Sequence, residues 1–404
     1  MRWRAPLAQE DAYRAALDHP DRNGGHQLPY VFRIDGAVDT HRLGQVVDVL
    51  VGRHDALSQE FHYADDQLWL APGERPQLEV IDCPADSSLL SFASSRHAAL
   101  PDDKPAWFLL VRDLRADQAV FIITLDHRLA DAHSGAVILG EISKLYAEPA
   151  LSLPPVRQFA DWAAAQRAAL ARDESLRSWW RGELPGFADR YRRSALGLNG
   201  KSEIEVALAP PLSADVAAAA ASFRTTPFCV LLAAMSMELL RLVADSHVLM
   251  TTNFSHRNHP HFRRTVGCLT SRTIVAIDAA EIRGHRSPQS IVSYVSTQLW
   301  RALDHSAGPF SWVQDCAGLI DEGCQRGWPY LAMQPEPAAG LVLGDCRVTE
   351  LEPDPVPAPQ EAHVVRLMSR DGAWLGRLQG PGSDCDLSAF WQLIADRLTW
   401  LTVT

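Results

Sequence analysis

Lysine is nearly missing from this sequence, and its cysteines do not form any recognisable pattern. Only three lysines occur in 404 residues, so arginine carries almost all of the positive charge. The seven cysteines are scattered, odd in number and without a CxxC pair. Disulfide frameworks and zinc sites use paired cysteines at regular spacings. We therefore expect reduced thiols, a cytoplasmic location and no bound metal.

Long apolar runs and an excess of positive charge are also missing. No apolar run approaches the ~20 residues that span a bilayer, and the first residues contain no apolar core of a secretory signal. The formal net charge is −11, which argues against a nucleic-acid partner. With 47% hydrophobic and 22% charged residues, the composition is that of an ordinary globular protein. We expect neither a nucleic-acid nor a membrane partner.

The chain does contain strand and helix patterns in both of its halves. In the first half, residues 107–114 and 120–125 have the apolar, β-branched character of two strands joined by a short turn. Apolar residues at helical spacing then predict helices over 134–147 and 159–184. A second series of strands and helices begins after the polar, arginine-rich segment 186–201.

That polar segment is the predicted domain boundary. We predict an α/β (α+β) fold with an N-terminal domain over 1–180, which carries the motif described next, and a C-terminal domain over 181–404. The length of the chain is sufficient for each domain to bury its own core.

Four ionisable side chains lie between the strand FIITL and the following helix: Asp126, His127, Asp131 and His133. Imidazole is the side chain that most often accepts a proton in acid–base catalysis near neutral pH. A histidine at the end of a strand can equally be a buried structural residue. His127 and Asp131 form an HxxxD motif, which by itself occurs by chance in many proteins.

The whole chain resembles the condensation domains of nonribosomal peptide synthetases, in the superfamily of chloramphenicol acetyltransferase. Their signature is HHxxxDG, and the sequence here is DHRLADA over 126–132. His127 and Asp131 are in register, whereas Asp126 and Ala132 replace the first histidine and the glycine. Further blocks match the family in order: PLAQEDAYR (6–14), RHDALSQEF (53–61), FADWAAAQ (159–166), SHRNHP (255–260), VGCLTSRTIVAID (266–278) and DHSAGPFSWV (304–313).

The resemblance implies two chloramphenicol-acetyltransferase-like subdomains in a V-shaped pseudo-dimer with a central tunnel. It also implies that His127 accepts a proton from the attacking nucleophile, or orients that nucleophile. Asp131 would instead pair with an arginine and hold the shape of the loop. Arg257 is the first candidate for that arginine, and Arg53 is the second.

Five further residues are candidates for lining the tunnel or contacting substrate: Asp126, Ala132, His133, Asn253 and Ser271. Alternation along the strand predicts that Asp126 points away from His127. Replacement of the family's glycine by Ala132 matters if that position needs a positive φ or a close backbone approach.

The function implied by the resemblance is acyl transfer in natural-product biosynthesis, by a free-standing condensation enzyme. An acyl or aminoacyl group would pass from the phosphopantetheine thioester of a carrier protein, supplied in trans, to an amine or alcohol. No cofactor would be bound by the chain itself. The degenerate motif leaves open an alternative, a non-catalytic module that recruits tailoring enzymes or carrier proteins. Two arginine-bearing stretches, 188–196 and 262–272, are candidates for a carrier docking surface.

Overall fold

The computed structural model describes residues 2–10, 13, 27–100, 104–171, 174–184, 201–243, 247–257, 259–316, 329–334, 340–351, 363–370 and 372–403. The chain folds into two compact units. The first comprises Met1–Ala171, Ser255–Thr270 and Pro337–Pro357, and the second comprises Arg172–Phe254, Ser271–Glu336 and Ala358–Thr404. The predicted arginine-rich stretch 188–196 lies outside the described residues.

The units divide the chain differently from the predicted boundary at residue 180. The continuous N-terminal part of the first unit ends at Ala171. Two later segments, 255–270 and 337–357, also belong to this unit. The second of these segments contributes a strand to its sheet, and the first supplies an arginine to its motif loop, as shown below. The domains 1–180 and 181–404, the V-shaped arrangement and the tunnel stay predictions.

The described elements of the first unit are β1 (Trp3–Arg4), β2 (Gln27–Asp35), α1 (Thr40–Arg53), β3 (Gln59–Ala64), β4 (Gln67–Pro72), β5 (Leu78–Asp82), α2 (Leu89–Ala98), β6 (Ala106–Asp113), β7 (Gln118–Asp126), α3 (Ala132–Ala147), α4 (Phe159–Leu170) and β12 (Arg347–Leu351). Five strands form one sheet in the order β12-β2-β7-β6-β5, and β1, β4 and β3 form a small second sheet. The predicted pairing of 107–114 with 120–125 is confirmed, because β6 and β7 are antiparallel neighbours.

Strand β7 is the centre of the large sheet and is buried along nearly its whole length. Its alternate residues face opposite sides of the sheet. Phe121, Ile123 and Leu125 belong to the core that includes the apolar faces of α1 and α3. Val120 and Ile122 belong to a smaller core that includes Ala93 and other residues of α2. The strand that leads into the motif is therefore fixed from both sides.

The second unit contains α5 (Ser175–Glu183), β8 (Lys201–Leu208), α6 (Pro210–Ser222), α7 (Pro227–Val243), β9 (His247–Ser255), β10 (Thr270–Asp278), α8 (Ala279–Gly284), α9 (Pro288–Asp304), α10 (Phe310–Cys316), β11 (Tyr330–Gln334), β13 (Val364–Arg370), β14 (Ala373–Pro381) and α11 (Asp384–Thr402). Six strands form its sheet in the order β10-β9-β11-β13-β14-β8. Its core is built largely from the sheet and from α7, α9 and α11.

The helix predicted over 159–184 is two helices, α4 and α5. The interruption lies where the chain passes from the first unit to the second, at Ala171 and Arg172. Among the described residues, no single helix is long and apolar enough to cross a membrane. Residues 210–222 and 227–242 meet that test only as a pair, and they are bent by 104° at the break between them.

Candidate active site

A short turn connects the central strand to α3 and carries the motif. β7 ends at Asp126, whose carbonyl oxygen accepts from the backbone N–H groups of Leu129 and Ala130, both at 2.9 Å. The helix then begins at Ala132, with Asp131 as its N-cap. A buried strand and a capped helix thus fix both ends of the turn, and His127 is the first residue beyond the strand.

His127 is exposed and makes one short polar contact with the part of the chain that the structure describes. Its Nδ1 atom lies 2.9 Å from the carbonyl oxygen of Ala130. A carbonyl oxygen can only accept, so Nδ1 donates, and the Nε2 atom of the neutral ring retains its lone pair. The turn therefore selects the tautomer that a general base requires, with the accepting nitrogen on an exposed side chain.

Asp131 is buried and accepts six hydrogen bonds. Its Oδ1 atom accepts from the backbone N–H of Ser134 at 2.9 Å and from the Ser134 hydroxyl at 2.8 Å, which caps the helix. Its Oδ2 atom accepts from the backbone N–H of Leu269 and from the hydroxyl of Thr270, both at 3.0 Å. The remaining two donors come from Arg257.

Arg257 binds Asp131 in a bidentate pair. Nη1 lies 2.6 Å from Oδ2 and Nη2 lies 2.9 Å from Oδ1. Nη2 also donates to the carbonyl oxygens of Thr265 and Gly267. Burial alone would raise the pKa of Asp131, but the charge and the hydrogen bonds of Arg257, together with those of Ser134, hold that pKa below its usual value. The predicted pair thus fastens segment 255–270 to the motif loop.

Arg53, the second candidate for this role, pairs elsewhere. Its Nε atom donates to Glu141 of α3 at 3.0 Å, and Nε2 of His54 lies 2.8 Å from the same carboxylate oxygen. Burial raises the pKa of Glu141, but His54 and Arg53 outweigh it and lower that pKa. The assignment of Arg53 to Asp131 is wrong, because Arg53 ends α1 beside the middle of α3, two to three turns beyond the loop.

Asp126 is buried, whereas its neighbour His127 is exposed. Its carboxylate pairs with Arg128, with Nη2 2.5 Å from Oδ2, and its Oδ1 accepts from the Arg128 backbone N–H at 2.8 Å. The side chains of Asp126 and His127 therefore have separate environments, as strand alternation predicts. Sequence reasoning overlooked Arg128, although a carboxylate and a guanidinium two residues apart in a turn are a usable signal.

Ala132 occupies the first position of α3 and is exposed. It is not among the non-glycine residues with a positive φ. A methyl group is therefore accommodated at this position without backbone strain, and the replacement of the family's glycine does not distort the loop.

The other predicted residues lie in different surroundings. His133 is exposed, and its Nε2 atom lies 2.8 Å from the carbonyl oxygen of Arg263. In the second unit, Asn253 is exposed and Ser271 is buried. Contact of these residues with substrate or with a tunnel stays a prediction. Among the described residues, no group of three or more histidine, cysteine or acidic side chains is placed to hold a metal ion.

Tyr30 is a residue near the motif that the sequence did not reveal. A Cβ atom on Gly135 of α3 would lie 2.0 Å from the Tyr30 hydroxyl oxygen, so the absence of a side chain at Gly135 admits the phenol. Burial, followed by the negative charge of Asp131, raises the pKa of Tyr30, which keeps its hydroxyl protonated. Only the register of β2 against β7, where Tyr30 is opposite Ile123, places it there.

Comparison with known proteins adds independent findings. The condensation domain family model matches residues 8–321. Phosphinothricin tripeptide synthetase PhsB of Streptomyces viridochromogenes is 28% identical over 290 residues, which are 64% of this chain and 24% of that protein. The chain spans about a quarter or less of the length of the first curated relatives that it matches.

Two solved structures show the same fold over nearly the whole chain. The condensation domain from the monacolin K polyketide synthase MokA has a TM-score of 0.82 at 15% identity and covers 100% of this chain and 98% of that one. The X-domain from teicoplanin biosynthesis has a TM-score of 0.78 at 18% identity, and the match covers 99% of this chain and 94% of that one. That X-domain has also been solved as a complex with OxyB. At these identities the likeness establishes the fold alone.

Proposed function

Because the chain belongs to the condensation domain family, we propose that it is an acyltransferase of natural-product biosynthesis that forms amide or ester bonds. The donor is an acyl or aminoacyl group held as a phosphopantetheine thioester on a separate carrier protein. The acceptor is the amine or hydroxyl of a small molecule or of a second carrier-bound group. The observation that supports this proposal most strongly is the exposed His127, whose Nδ1 atom is engaged and whose Nε2 atom is free to accept a proton.

The proposed reaction consists of a proton transfer and the replacement of a C–S bond by a C–N or C–O bond. The nucleophile attacks the thioester carbonyl carbon while Nε2 of His127 accepts its proton. A new C–N or C–O bond forms, the C–S bond breaks, and the proton passes to the departing thiolate. A positioned general base contributes roughly 10²–10⁴-fold to such a rate, and holding both reactants together contributes further.

Asp131 and Arg257 act in this proposal as positioning residues. Their pair fixes the N-terminus of α3 and, with it, the end of the turn whose Ala130 carbonyl holds the His127 ring. Because the pair is buried and hydrogen-bonded to the surrounding backbone, it is a support for the loop and not a group that contacts substrate.

The test is a transfer assay read by intact-protein mass spectrometry. Carrier proteins loaded with different acyl groups are incubated with candidate amines and alcohols, with and without this chain. We expect the carrier to lose the acyl mass only when the chain is present, and the acylated nucleophile to be recovered. His127→Ala is the matched negative control. Loss of the acyl group at equal rates with wild type and His127→Ala would reject the proposed chemistry.

A non-catalytic recruiting module is the second candidate function. It is favoured by Asp126, which stands where the family signature has its first histidine, and by the shared fold of the X-domain that was solved with OxyB. The same assay separates the two candidates. A recruiter would bind carrier or tailoring enzyme with equal affinity in wild type and His127→Ala, and it would transfer no acyl group in either form.

A further inference from the structure

One long stretch of this acidic chain contains no acidic residue. The chain has 49 aspartate and glutamate residues and a net charge of −11, yet residues 246–277 include neither residue type. The same stretch contains four arginines and four histidines. Local charge is therefore opposite in sign to that of the whole chain, which is the pattern expected of a surface that meets an anionic partner.

Exposed cations of this stretch, and two beside it in the fold, have no ionic partner among the described residues. Arg263 and Arg264 are exposed, and so is Arg157, which precedes α4. No ion pair joins any of the three to another described residue. Three exposed histidines lie with them, and we call the set of six residues the basic rim. The basic rim consists of Arg157, Arg263, Arg264, His133, His259 and His261.

Four other arginines on the surface of the first unit are each paired with an acidic neighbour. Arg33 pairs with Asp35, Arg96 with Glu79, Arg112 with Asp82 and Arg115 with Asp113, at N–O distances of 2.7–3.4 Å. Arg257, within the acid-free stretch itself, is buried and paired with Asp131. Arg157, Arg263 and Arg264 differ from these four arginines, because none of the three has an ion pair with a described residue.

Hydrogen bonds hold residues of the basic rim beside the N-terminus of α3. Nε2 of His133, the second residue of α3, lies 2.8 Å from the carbonyl oxygen of Arg263. The hydroxyl of Thr265 donates to the carbonyl oxygen of Arg157 at 2.8 Å. The rim therefore adjoins the N-terminus of α3, which begins five residues after His127. The positive end of the helix dipole adds to the field at this place.

We infer that the basic rim is the docking surface for an acidic carrier protein that presents its phosphopantetheine thioester to His127. This inference rests on the proposed function and names the surface at which its donor arrives. Carboxylates on the carrier and the phosphodiester of its prosthetic arm are the groups that a guanidinium binds in bidentate fashion. Docking beside the turn would bring the thioester to the exposed face of the imidazole.

The experiment reverses the charge of the rim and of a matched surface. The variant Arg263→Glu/Arg264→Glu is compared with Arg283→Glu/Arg286→Glu, two exposed arginines of the second unit whose replacement changes the net charge equally. Binding is measured by fluorescence anisotropy with a panel of phosphopantetheine-loaded acyl carrier proteins, at low and at physiological salt. Transfer is measured in parallel from the carriers and from acyl-pantetheine, which has no protein to dock.

We expect the Arg263/Arg264 variant to bind carrier at least tenfold more weakly, and the Arg283/Arg286 variant to bind it as wild type does. Added salt should weaken the binding of carrier by wild type and reduce the difference in affinity between wild type and the Arg263/Arg264 variant. The reason is that exposed charges are screened within about 8–10 Å. Transfer from acyl-pantetheine should stay within twofold of wild type in both variants. Equal carrier affinity in all three proteins, or no binding of any carrier by wild type, would overturn the assignment.

Failure of the docking surface and failure of the proposed chemistry give different results. Rim-dependent binding with no transfer from any thioester would retain the surface and reject the acyltransferase. Transfer from carriers that is unaffected by the charge reversal would retain the acyltransferase and reject the basic rim as the docking surface. A short DNA duplex serves as a second anionic probe, and rim-dependent binding of it at least as tight as that of the carriers would also overturn the carrier assignment.

Discussion

Asp131, the N-cap of α3, and Glu141, in the middle of that helix, are both buried carboxylates paired with an arginine, but they connect different parts of the chain. Glu141 joins the middle of the helix to Arg53 and His54 at the end of α1, in the same continuous stretch of chain. Asp131 joins the start of the helix to Arg257, Leu269 and Thr270, more than a hundred residues later.

The two clusters differ in what they hold in place: one stabilises the fold of the first unit, and the other also positions the candidate active site. The Glu141 cluster holds two helices of one unit against each other. The Asp131 cluster holds the end of the turn that carries His127, together with segment 255–270, which carries four of the six residues of the basic rim. Damage to either cluster should lower stability, whereas only damage at Asp131 should also disturb the candidate active site. The following predictions test that distinction.

Asp131→Ala is expected to give the largest effect on stability. Removal of the carboxylate leaves the Arg257 guanidinium buried without its counter-charge, which costs about 3–5 kcal/mol. Chemical denaturation should show this loss, and transfer per folded molecule should fall as well. Asp131→Asn, which keeps the helix cap but not the charge, is the control and should be less damaging to the N-terminus of α3. An unchanged melting temperature for Asp131→Ala would show that the cluster has no such role.

Acid should lower the stability of the region around the Asp131 cluster through His256, the residue that precedes Arg257. Burial, with a further contribution from Arg257, lowers the pKa of His256 from 6.5 to about 4. Between these values the unfolded chain binds a proton that the folded chain does not, so stability is full above pH 6.5 and falls as the pH drops towards 4. The shift corresponds to about 3 kcal/mol.

Denaturation of wild type and of His256→Phe at pH 7.5 and pH 4.5 measures this contribution. Phenylalanine preserves the ring beside Trp162, whose centroid lies 5.7 Å from that of His256. The variant should lose less stability than wild type between the two pH values. Equal losses would mean that protonation of His256 is not coupled to the folding of this region.

Glu141→Gln should have a smaller effect, and one confined to stability. The amide retains hydrogen-bonding capacity but removes the charge that compensates Arg53, for which about 1–3 kcal/mol is expected. Transfer per folded molecule should remain within twofold of wild type, since the motif turn is not part of this cluster. A loss of transfer as large as that of Asp131→Ala would erase the distinction between the two carboxylates.

Asp126→His restores the first histidine of the family signature and should have a small effect on transfer. Asp126 is buried against Arg128 and does not share the surroundings of His127, so we expect the transfer rate to change less than tenfold. Arg128→Gln is the matched variant, because it releases Asp126 without adding an imidazole. A large gain with Asp126→His alone would place this side chain at the site of reaction.

Much of this arrangement could be predicted from the sequence, because local patterns determine it. The apolar run of β7, the helical spacing of α3 and the HxxxD register are all read within a window of about thirty residues. The capping role of Asp131 follows from the same window, since Ser134 lies at the third position of the helix.

The choice between Arg257 and Arg53 needed the family resemblance, because the pair spans 126 residues and no local rule favours either arginine. The structure then shows why Arg53 is excluded, since Glu141 engages it. The Tyr30–Gly135 contact and the return of segments 255–270 and 337–357 to the first unit depend on strand register and chain crossing. Such features have no signature in composition or periodicity.

The transfer rate of His127→Ala, measured under single-turnover conditions with a loaded carrier, is the most direct test of the central claim. The side chain is exposed and makes its one short polar contact within its own turn, so the variant should fold with a melting temperature close to that of wild type. Loss of the general base should lower the rate by ~10²-fold or more. A folded variant that transfers within a few-fold of wild type would contradict the assignment of His127 as the base and, with it, the proposed division of roles within the loop.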